Sequence, residues 1–337
     1  MSRTTSATVP SGPSRSTAPA IEARKLTKTY GEVKALDGVS FTAQAGTIFA
    51  LLGPNGAGKS TTFKILTTLT RPDSGTATVA GLDVVRQADQ VRTTIGCVAQ
   101  KPQFDPDATG RENLHLQGRL YGVSRAETRA RAQELLDRFG LTKAADRVAR
   151  TYSGGMQRKL DVALGLMHRP RVLFLDEPTT GLDPEARAEM WKEITHLVAD
   201  EGLTILLTTH YLDEADQLAS QVAIVDRGRV VAQGSPEALK SELRGDAIHI
   251  ELTHPPLNGE IHGALDRLGT VREVTVDATT VRARVDDGAR AVPAVLAALE
   301  SVGVGVASVT VSRPSLDDVY LRYAGRAFAQ ADTEVTA

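Results

Sequence analysis

The chain has 337 residues, enough for about two domains at roughly 150 residues each. Its 39 Lys and Arg against 41 Asp and Glu leave a formal charge of −2, which excludes a chain-wide basic field for nucleic acid. Aromatic residues make up 4%, too few for base-stacking platforms, and the single cysteine, Cys97, excludes an internal disulfide framework and a zinc ribbon.

Residues 1 to about 20 are mostly Ser, Thr, Pro, Ala and Gly, and read as a disordered tail. From Ile21 short β-branched runs alternate with helical patterns, the mark of an α/β fold. Thr47–Leu52 is expected as a buried strand, followed by a Gly-rich turn and a helix over about 60–69. Arg171–Leu175 and Thr204–Thr208 read as further core strands. Ahead of them, about 101–168 is rich in helix formers and reads as a helical insert. Composition shifts again near Gly245. Beyond it the expected order is a strand at 247–253, a helix at 258–268, strands at 271–276 and 280–285, a helix at 288–300 and a strand at 304–311. That βαββαβ order suggests a small ferredoxin-like module. A short helix over 316–323, capped by Ser315, would follow, and 327–337 reads as a tail. The weakest break in polarity, Ala291–Val311, is interrupted by Pro293, Glu300, Gly303 and Gly305, so no segment is expected to span a bilayer.

Residues 53–60 read GPNGAGKS: Gly53, Pro54, Asn55, Gly56, Ala57, Gly58, Lys59 and Ser60, with Thr61 next. The spacing G-x-x-x-x-G-K-[ST] between a strand and a helix is that of a phosphate-binding loop. The glycines let successive N–H groups turn inward, Lys59 brings a point charge, Ser60 offers a hydroxyl to Mg²⁺, and the helix N-terminus adds partial positive charge. RVLFLDE over 171–177 is an apolar strand ending in two acids. At the C-terminal edge of such a sheet, Asp176 is placed to hold Mg²⁺ and Glu177 to orient or deprotonate an attacking water.

Tyr152–Gln157 reads YSGGMQ, which resembles the LSGGQ signature of ABC ATPases, with Tyr152 and Met156 as departures. Other markers follow in that family's order over about 21–236. The resemblance implies that Tyr30 stacks on adenine and that Gln100 lids the phosphate site and reaches its Mg²⁺. It implies that Gly181, Leu182 and Asp183 form the loop after the paired acids, and that His210 contacts the γ phosphate. Ser153 would cap the helix over 156–167, with Gly154 and Gly155 exposing its first N–H groups. In the resembled family that helix start binds the γ phosphate held by a second copy, or by a paralogous ATP-binding subunit. One copy of each motif therefore implies an ATP-dependent dimer with two nucleotides at the seam.

The ending SRPSLDDVYLRYAGR over 312–326, with RENL and TTHYLDEAD upstream, is similar to ATP-binding subunits of the daunorubicin-resistance type. The resemblance implies an ATPase at the cytoplasmic face of the membrane. It would drive export of a drug or other hydrophobic compound through a separate integral membrane permease, with the C-terminal module regulatory or dimer-stabilising. A lipid or glycolipid exporter ATPase is the alternative cargo class. A non-transport ATPase acting on nucleic acid or ribosomes is the alternative mode of action, and no basic stripe supports it. Phe104 and the apolar positions in 114–121 either form a docking groove for a partner helix or pack the insert's own core. Cys97 reads as a small buried side chain, and Asp317 and Asp318 as favourable charge at a helix start.

Overall fold

A computed structural model describes residues 18–243, 245–255 and 260–333. The chain forms two compact units. One covers the described residues through Gln233; the other spans Gly234–Ala331.

The first unit opens with an antiparallel hairpin, β1 (Ile21–Tyr30) and β2 (Val33–Ala43), turned at Gly31 with φ +58°. Then come β3 (Ile48–Leu52), α1 (Lys59–Leu66), β4 (Ser74–Val79), β5 (Leu82–Asp83), α2 (Ala88–Thr94) and β6 (Ile95–Val98). The helical insert follows as α3 (Gly110–Leu120), α4 (Arg125–Arg138) and α5 (Gly154–Gly165). The unit closes with β7 (Val172–Asp176), α6 (Pro184–Glu201), β8 (Thr204–Thr209), α7 (Leu212–Leu218), β9 (Gln221–Asp226) and β10 (Arg229–Gly234).

Two sheets result, one in the order β2-β1-β4-β5 and one in the order β10-β9-β3-β8-β7-β6. In the larger sheet β9, β3, β8, β7 and β6 are parallel. Parallel strands covered on both faces must be apolar throughout, and every residue of β3 and β8 is buried. The register sets Leu52 beside Thr209, Asp176 beside Thr208 and Val98 beside Leu175. The C-terminal ends of β3, β6, β7 and β8 therefore finish at one edge, where an open α/β sheet presents its loops to ligands.

Helix starts are set by local chemistry. Thr109 and Glu112 form a capping box for α3, Ser124 caps α4, and Asp183 caps α6 ahead of Pro184. Tyr152 replaces the signature's leucine and is 5% exposed, with its hydroxyl donating to Ala144 O at 2.6 Å. A Cβ on Gly110 would lie 2.3 Å from that hydroxyl, so the glycine leaves room for the larger ring.

The second unit contains α8 (Pro236–Ser241), β11 (Asp246–Leu252), α9 (Glu260–Asp266), β12 (Val271–Asp277) and β13 (Thr280–Val285). After these come α10 (Gly288–Ser301), β14 (Val306–Ser312), α11 (Leu316–Ala324) and α12 (Phe328–Thr333). Its sheet has the order β12-β13-β11-β14 with every pair antiparallel. This is the ferredoxin-like order expected from βαββαβ. The core holds Ile248, Ile250, Leu265, Val281, Val295 and Leu299. Ser315 and Asp318 form a capping box, while Asp317 pairs with Arg282 at 2.6 Å.

Several expectations shift. Residues 1–17 of the expected tail lie outside the described residues. Ala20 does not behave as tail: it is 8% exposed, and its N–H donates to Ala43 O at 2.9 Å. The C-terminal unit begins at Gly234, ahead of the composition shift near Gly245, because α8 packs within it against α11. Arg244, expected to end the first domain, and 256–259, which include the first two residues of the expected 258–268 helix, lie outside the described residues. The segment read as a tail from 327 forms α12 over 328–333, and 334–337 lie outside the described residues. Phe328 anchors that helix. It is 6% exposed, with its ring edge-on to Tyr320 at 4.8 Å.

Replacing Phe328 with Ala should therefore lower the stability of the C-terminal unit by about 3 kcal/mol, the usual scale for emptying a buried aromatic site. Urea unfolding followed by circular dichroism measures this. An unchanged profile would show that α12 contributes nothing to the fold.

Candidate functional site

The Gly-rich loop leaves β3 at Gly53, whose N–H donates to Thr209 O at 3.3 Å. A Cβ at Gly53 would meet Val225 O at 2.3 Å, so the start of the loop has no room for a side chain. Gly58, at φ +109°, is the N-cap of α1, and a Cβ there would meet Ala35 O at 2.7 Å. Gly56 also has positive φ, +72°. Pro54 and Ala57 are buried, while Asn55, Gly56 and Ser60 face solvent and Thr61 is half-buried. α1 has no side-chain cap and no acid in its first turn, which leaves its opening N–H groups for an anion. Lys59 is 4% exposed, and its Nζ donates to Gly53 O at 2.6 Å and Pro54 O at 3.1 Å.

The paired acids end β7. Thr208 of the neighbouring strand donates its hydroxyl to Asp176 Oδ1 at 2.5 Å. Glu177 N–H donates to Thr208 O and to Thr208 Oγ1, each at 3.1 Å. These bonds hold Glu177 at φ +48°, a left-handed conformation that costs a non-glycine residue about 1–3 kcal/mol. Strain of this kind persists where surrounding bonds overdetermine the backbone, as Thr208 does here.

The Glu177 carboxylate is the meeting point of the site. Gln100 Nε2 donates to Oε2 at 3.1 Å and Thr180 Oγ1 to the same oxygen at 3.3 Å. Lys59 Nζ lies 3.9 Å from Oε1, and His210 Nδ1 lies 3.1 Å from it. The imidazole Nδ1 makes no well-aligned hydrogen bond, yet its closeness to Oε1 lowers the carboxyl's value. Burial alone pushes the Glu177 carboxyl up, but His210 and Lys59 outweigh it and hold the group below the ordinary value. Burial pushes Asp176 up, and the charge of Glu177 adds to this against the Thr208 hydroxyl. Cys97 is pushed up to about 12 by burial and then by Asp176, which leaves an inert thiol.

Ser153, Gly154 and Gly155 belong to another neighbourhood. Ser153 Oγ accepts from Met156 N–H at 3.3 Å and so caps α5. A Cβ on Gly155 would lie 3.1 Å from the Ala186 Cβ, and one on Gly154 4.0 Å from Leu182 Cδ2. Asp183 caps the facing helix, accepting from Ala186 N–H at 2.9 Å, after a turn at Gly181 with φ +79°. Tyr30 stands at the hairpin tip, 47% exposed, with Lys28 Nζ 5.5 Å from its ring centroid.

The structure thus gathers Lys59, Gln100, Asp176, Glu177 and His210 at one sheet edge and sets the Ser-Gly-Gly group against Leu182–Ala186. Four contributors escape the sequence reading: Thr208, Thr180, Arg158 and Asp161. The last two carry a visible signal, since they are polar positions one turn apart on a helix whose other inward residues are apolar. Phe104 and Leu114 are buried and pack the insert, whereas Leu116, Leu120 and Tyr121 are exposed.

Among the described residues no group of three or more His, Cys, Asp or Glu side chains could hold a metal ion. The available donors are the Ser60 hydroxyl, the Asp176 carboxylate and the Gln100 amide oxygen. All are oxygen ligands of the kind a hard cation such as Mg²⁺ takes alongside phosphate, so the residues fit the ion. Among the described residues no helix is long and apolar enough to cross a membrane.

Comparison with known proteins supplies the family. The ABC transporter family model matches residues 36–180, and the model for the C-terminal domain of ATP-binding protein DrrA1-3-like matches 234–324. The daunorubicin/doxorubicin resistance ATP-binding protein DrrA of Streptomyces peucetius is 45% identical over 319 residues, which is 94% of this chain and 96% of that one. Among solved structures, cbiO1 from Clostridium perfringens, part of the ABC transporter complex cbiONQ, has TM-score 0.62 and 29% identity. It covers 66% of this chain and 91% of its own. The dimeric post-hydrolysis state of the ATP-binding cassette MJ0796, bound to ADP and Pi, has TM-score 0.58 and 27% identity over 64% of this chain and 98% of that one. The chain belongs to the ABC transporter ATP-binding proteins, which are ATPases, and carries a C-terminal domain of the DrrA1-3-like kind.

Proposed function

We propose that two copies of this chain, or this chain and a paralogue, close head to tail around two ATP molecules at the cytoplasmic face of the membrane. The closure drives export of a drug or other hydrophobic compound through a separate integral membrane subunit. The observation that carries this reading is the division of the site. Lys59, Gln100 and His210 converge on the Glu177 carboxylate, while Ser153–Gly155 open a different helix. The name of the Streptomyces relative points to drug resistance, and the MJ0796 cassette is dimeric.

In this reading the loop 53–61 receives the phosphates, and Lys59 exchanges its bonds to Gly53 O and Pro54 O for phosphate oxygens. Tyr30 stacks on the adenine. Ser60, Asp176 and Gln100 would hold Mg²⁺, which would supply charge neutralisation on the phosphates when bound. Glu177 stays ionised because His210 and Lys59 hold it so, and its Oε2 accepts a proton from the attacking water. Gln100 and His210 fix the angle of that carboxylate and the γ phosphate. Ser153, Gly154 and Gly155 of the second copy close over the same phosphate, and Asp183 orders the facing loop. A twofold arrangement completes both sites at once. The exposed Leu116, Leu120 and Tyr121 are where a membrane subunit would gain apolar contact. The C-terminal unit, from Gly234 here or from 245 on composition, stabilises or regulates the dimer.

Glu177→Gln should cut turnover by roughly 10²–10⁴, leave ATP binding intact and trap a dimer visible by light scattering. Normal turnover in that variant would remove Glu177 from its role. Lys59→Ala should weaken nucleotide binding by about 10- to 100-fold, the value of a lost charge-assisted hydrogen bond, measured by calorimetry. Chelating Mg²⁺ should stop hydrolysis while a fluorescent nucleotide still binds; turnover that survives chelation would refute the assignment of Ser60, Asp176 and Gln100. With its membrane subunit in inverted vesicles, the wild type should accumulate a hydrophobic drug in an ATP-dependent way, and accumulation of lipid alone would change the cargo class.

A further inference from the structure

Arg158 lies in the second turn of α5 and is 8% exposed. Its guanidinium donates to three main-chain carbonyls: Nε to Pro178 O at 2.8 Å, Nη1 to Ala99 O at 2.6 Å, and Nη2 to Asp176 O at 2.9 Å. The choice of carbonyls is informative. Ala99 precedes Gln100, and Asp176 and Pro178 flank Glu177. One rigid planar group therefore holds the backbone on both sides of the hydrolytic carboxylate and next to the amide that bonds it. A lysine could not do this, because an ammonium on a flexible stem has no fixed fork.

Asp161, one turn further along the same face, is 2% exposed, and its Oδ1 accepts from Gln103 N–H at 2.9 Å. The Phe104 N–H also favours its ionised form, although burial pushes the carboxyl up to about 6. α5 thus grips the segment 99–104 at both ends, through Arg158 at Ala99 and Asp161 at Gln103. A guanidinium and a carboxylate buried without a direct pair between them carry a desolvation penalty. Apolar residues at these positions would pack α5 without it, but they would leave the carbonyls of Ala99, Asp176 and Pro178 and the Gln103 N–H without these bonds.

The other end of α5 is the Ser153–Gly155 group. Arg158 sits about 6 Å along the helix axis from Gly154, at 1.5 Å per residue, with continuous helix between. We propose that Arg158 is a positioning residue that couples the two nucleotide sites of the dimer. When Ser153–Gly155 of one chain dock on the phosphate held by the partner, the first turn of α5 passes that docking to Gln100 and Glu177 of the docking chain itself. Arg158 need touch no nucleotide. It sets the alignment of the carboxylate that acts on its own chain's ATP. The inference rests on the dimer reading above.

Mixed dimers distinguish this coupling from a general weakening of α5. In each pair one chain carries Glu177→Gln, so single-turnover hydrolysis of pre-bound ATP reports only the intact site. With Arg158→Lys in the chain that keeps Glu177, the rate should fall at least tenfold relative to the pair without the lysine. With Arg158→Lys in the chain that carries Glu177→Gln, the rate should stay within twofold, because that chain supplies only Ser153–Gly155 to the active site. Equal losses in both arrangements would mean that α5 is merely distorted, and no loss in either would mean that the fork is idle. Each result overturns the proposal. Arg158→Gln repeats the comparison should the lysine variant fail to fold, and loss of the melting transition in both would make Arg158 a stability residue and likewise overturn it. Failure of the pair lacking any Arg158 substitution to form a dimer with ATP would instead overturn the dimer reading, and the coupling with it.

Discussion

The site depends on one constraint: Glu177 is held just past the end of β7 in a backbone conformation that side-chain-bearing residues avoid. Thr208 imposes it. Its carbonyl and hydroxyl both accept from Glu177 N–H, and the same hydroxyl donates to Asp176. A single residue of β8 thereby fixes where β7 stops and where its two acids point. The turn that follows brings Thr180 back onto the carboxylate it has just released from the sheet. Electrostatics completes what geometry begins. Asp176 and Glu177 are adjacent and both partly buried, yet their surroundings move their carboxyl values in opposite directions, Asp176 up and Glu177 down. The difference is the company of His210 and Lys59, which face Glu177. Adjacent carboxylates separated in this way suit different tasks, one beside a cation and one beside a water.

Much of this was legible in the sequence because the signals are local. A phosphate loop is a run of eight residues whose glycines answer to backbone clashes, and those clashes are present at Val225 O and Ala35 O. A strand buried on both faces declares itself as TIFALL or RVLFL. In the C-terminal unit, alternation, turn residues and Ser315 place its elements within a few residues. The residues that hold the site together were not legible, because their roles are defined across distant segments. Thr208 looks like any β-branched strand residue. Its importance follows from register with Asp176, and register between strands more than thirty residues apart is not written in either strand. Arg158 stands next to Lys159 in the sequence, and nothing local says that its partners lie in two distant segments, at Ala99 and at Asp176–Pro178.

The same limit explains the shifts at Ala20 and at 328–333. Small and polar composition reads as tail, but Ala20 is held by a main-chain bond that any residue type can make. Over 328–333 a single Phe328 outweighs its polar neighbours, since one aromatic ring removed from water offsets the ordering of a short helix. Composition averages over such anchors. The domain boundary was displaced for a related reason: α8 is a short Pro-started helix whose allegiance is set by packing against α11, eighty residues later.

The helical insert shows how one helix serves two masters. α3 presents Asn113, Leu114 and Gly118 inward, where Gly118 permits close approach to Thr128, and leaves Leu116, Leu120 and Tyr121 outside. The two readings of Phe104 and 114–121 therefore divide by helical phase: the inward residues build the insert, Leu116 and Leu120 face outward, and Tyr121 stacks on the His168 ring at 3.7 Å. α5 runs from that insert back to the sheet edge and is bound there by Arg158 and Asp161. α5 cannot shift without breaking its bonds to Ala99, Asp176, Pro178 and Gln103, the residues around Gln100 and Glu177. Cargo leaves no trace in such an arrangement, because nothing at the sheet edge distinguishes one transported molecule from another. What the chain encodes is the transmission of a phosphate's presence into the position of a carboxylate.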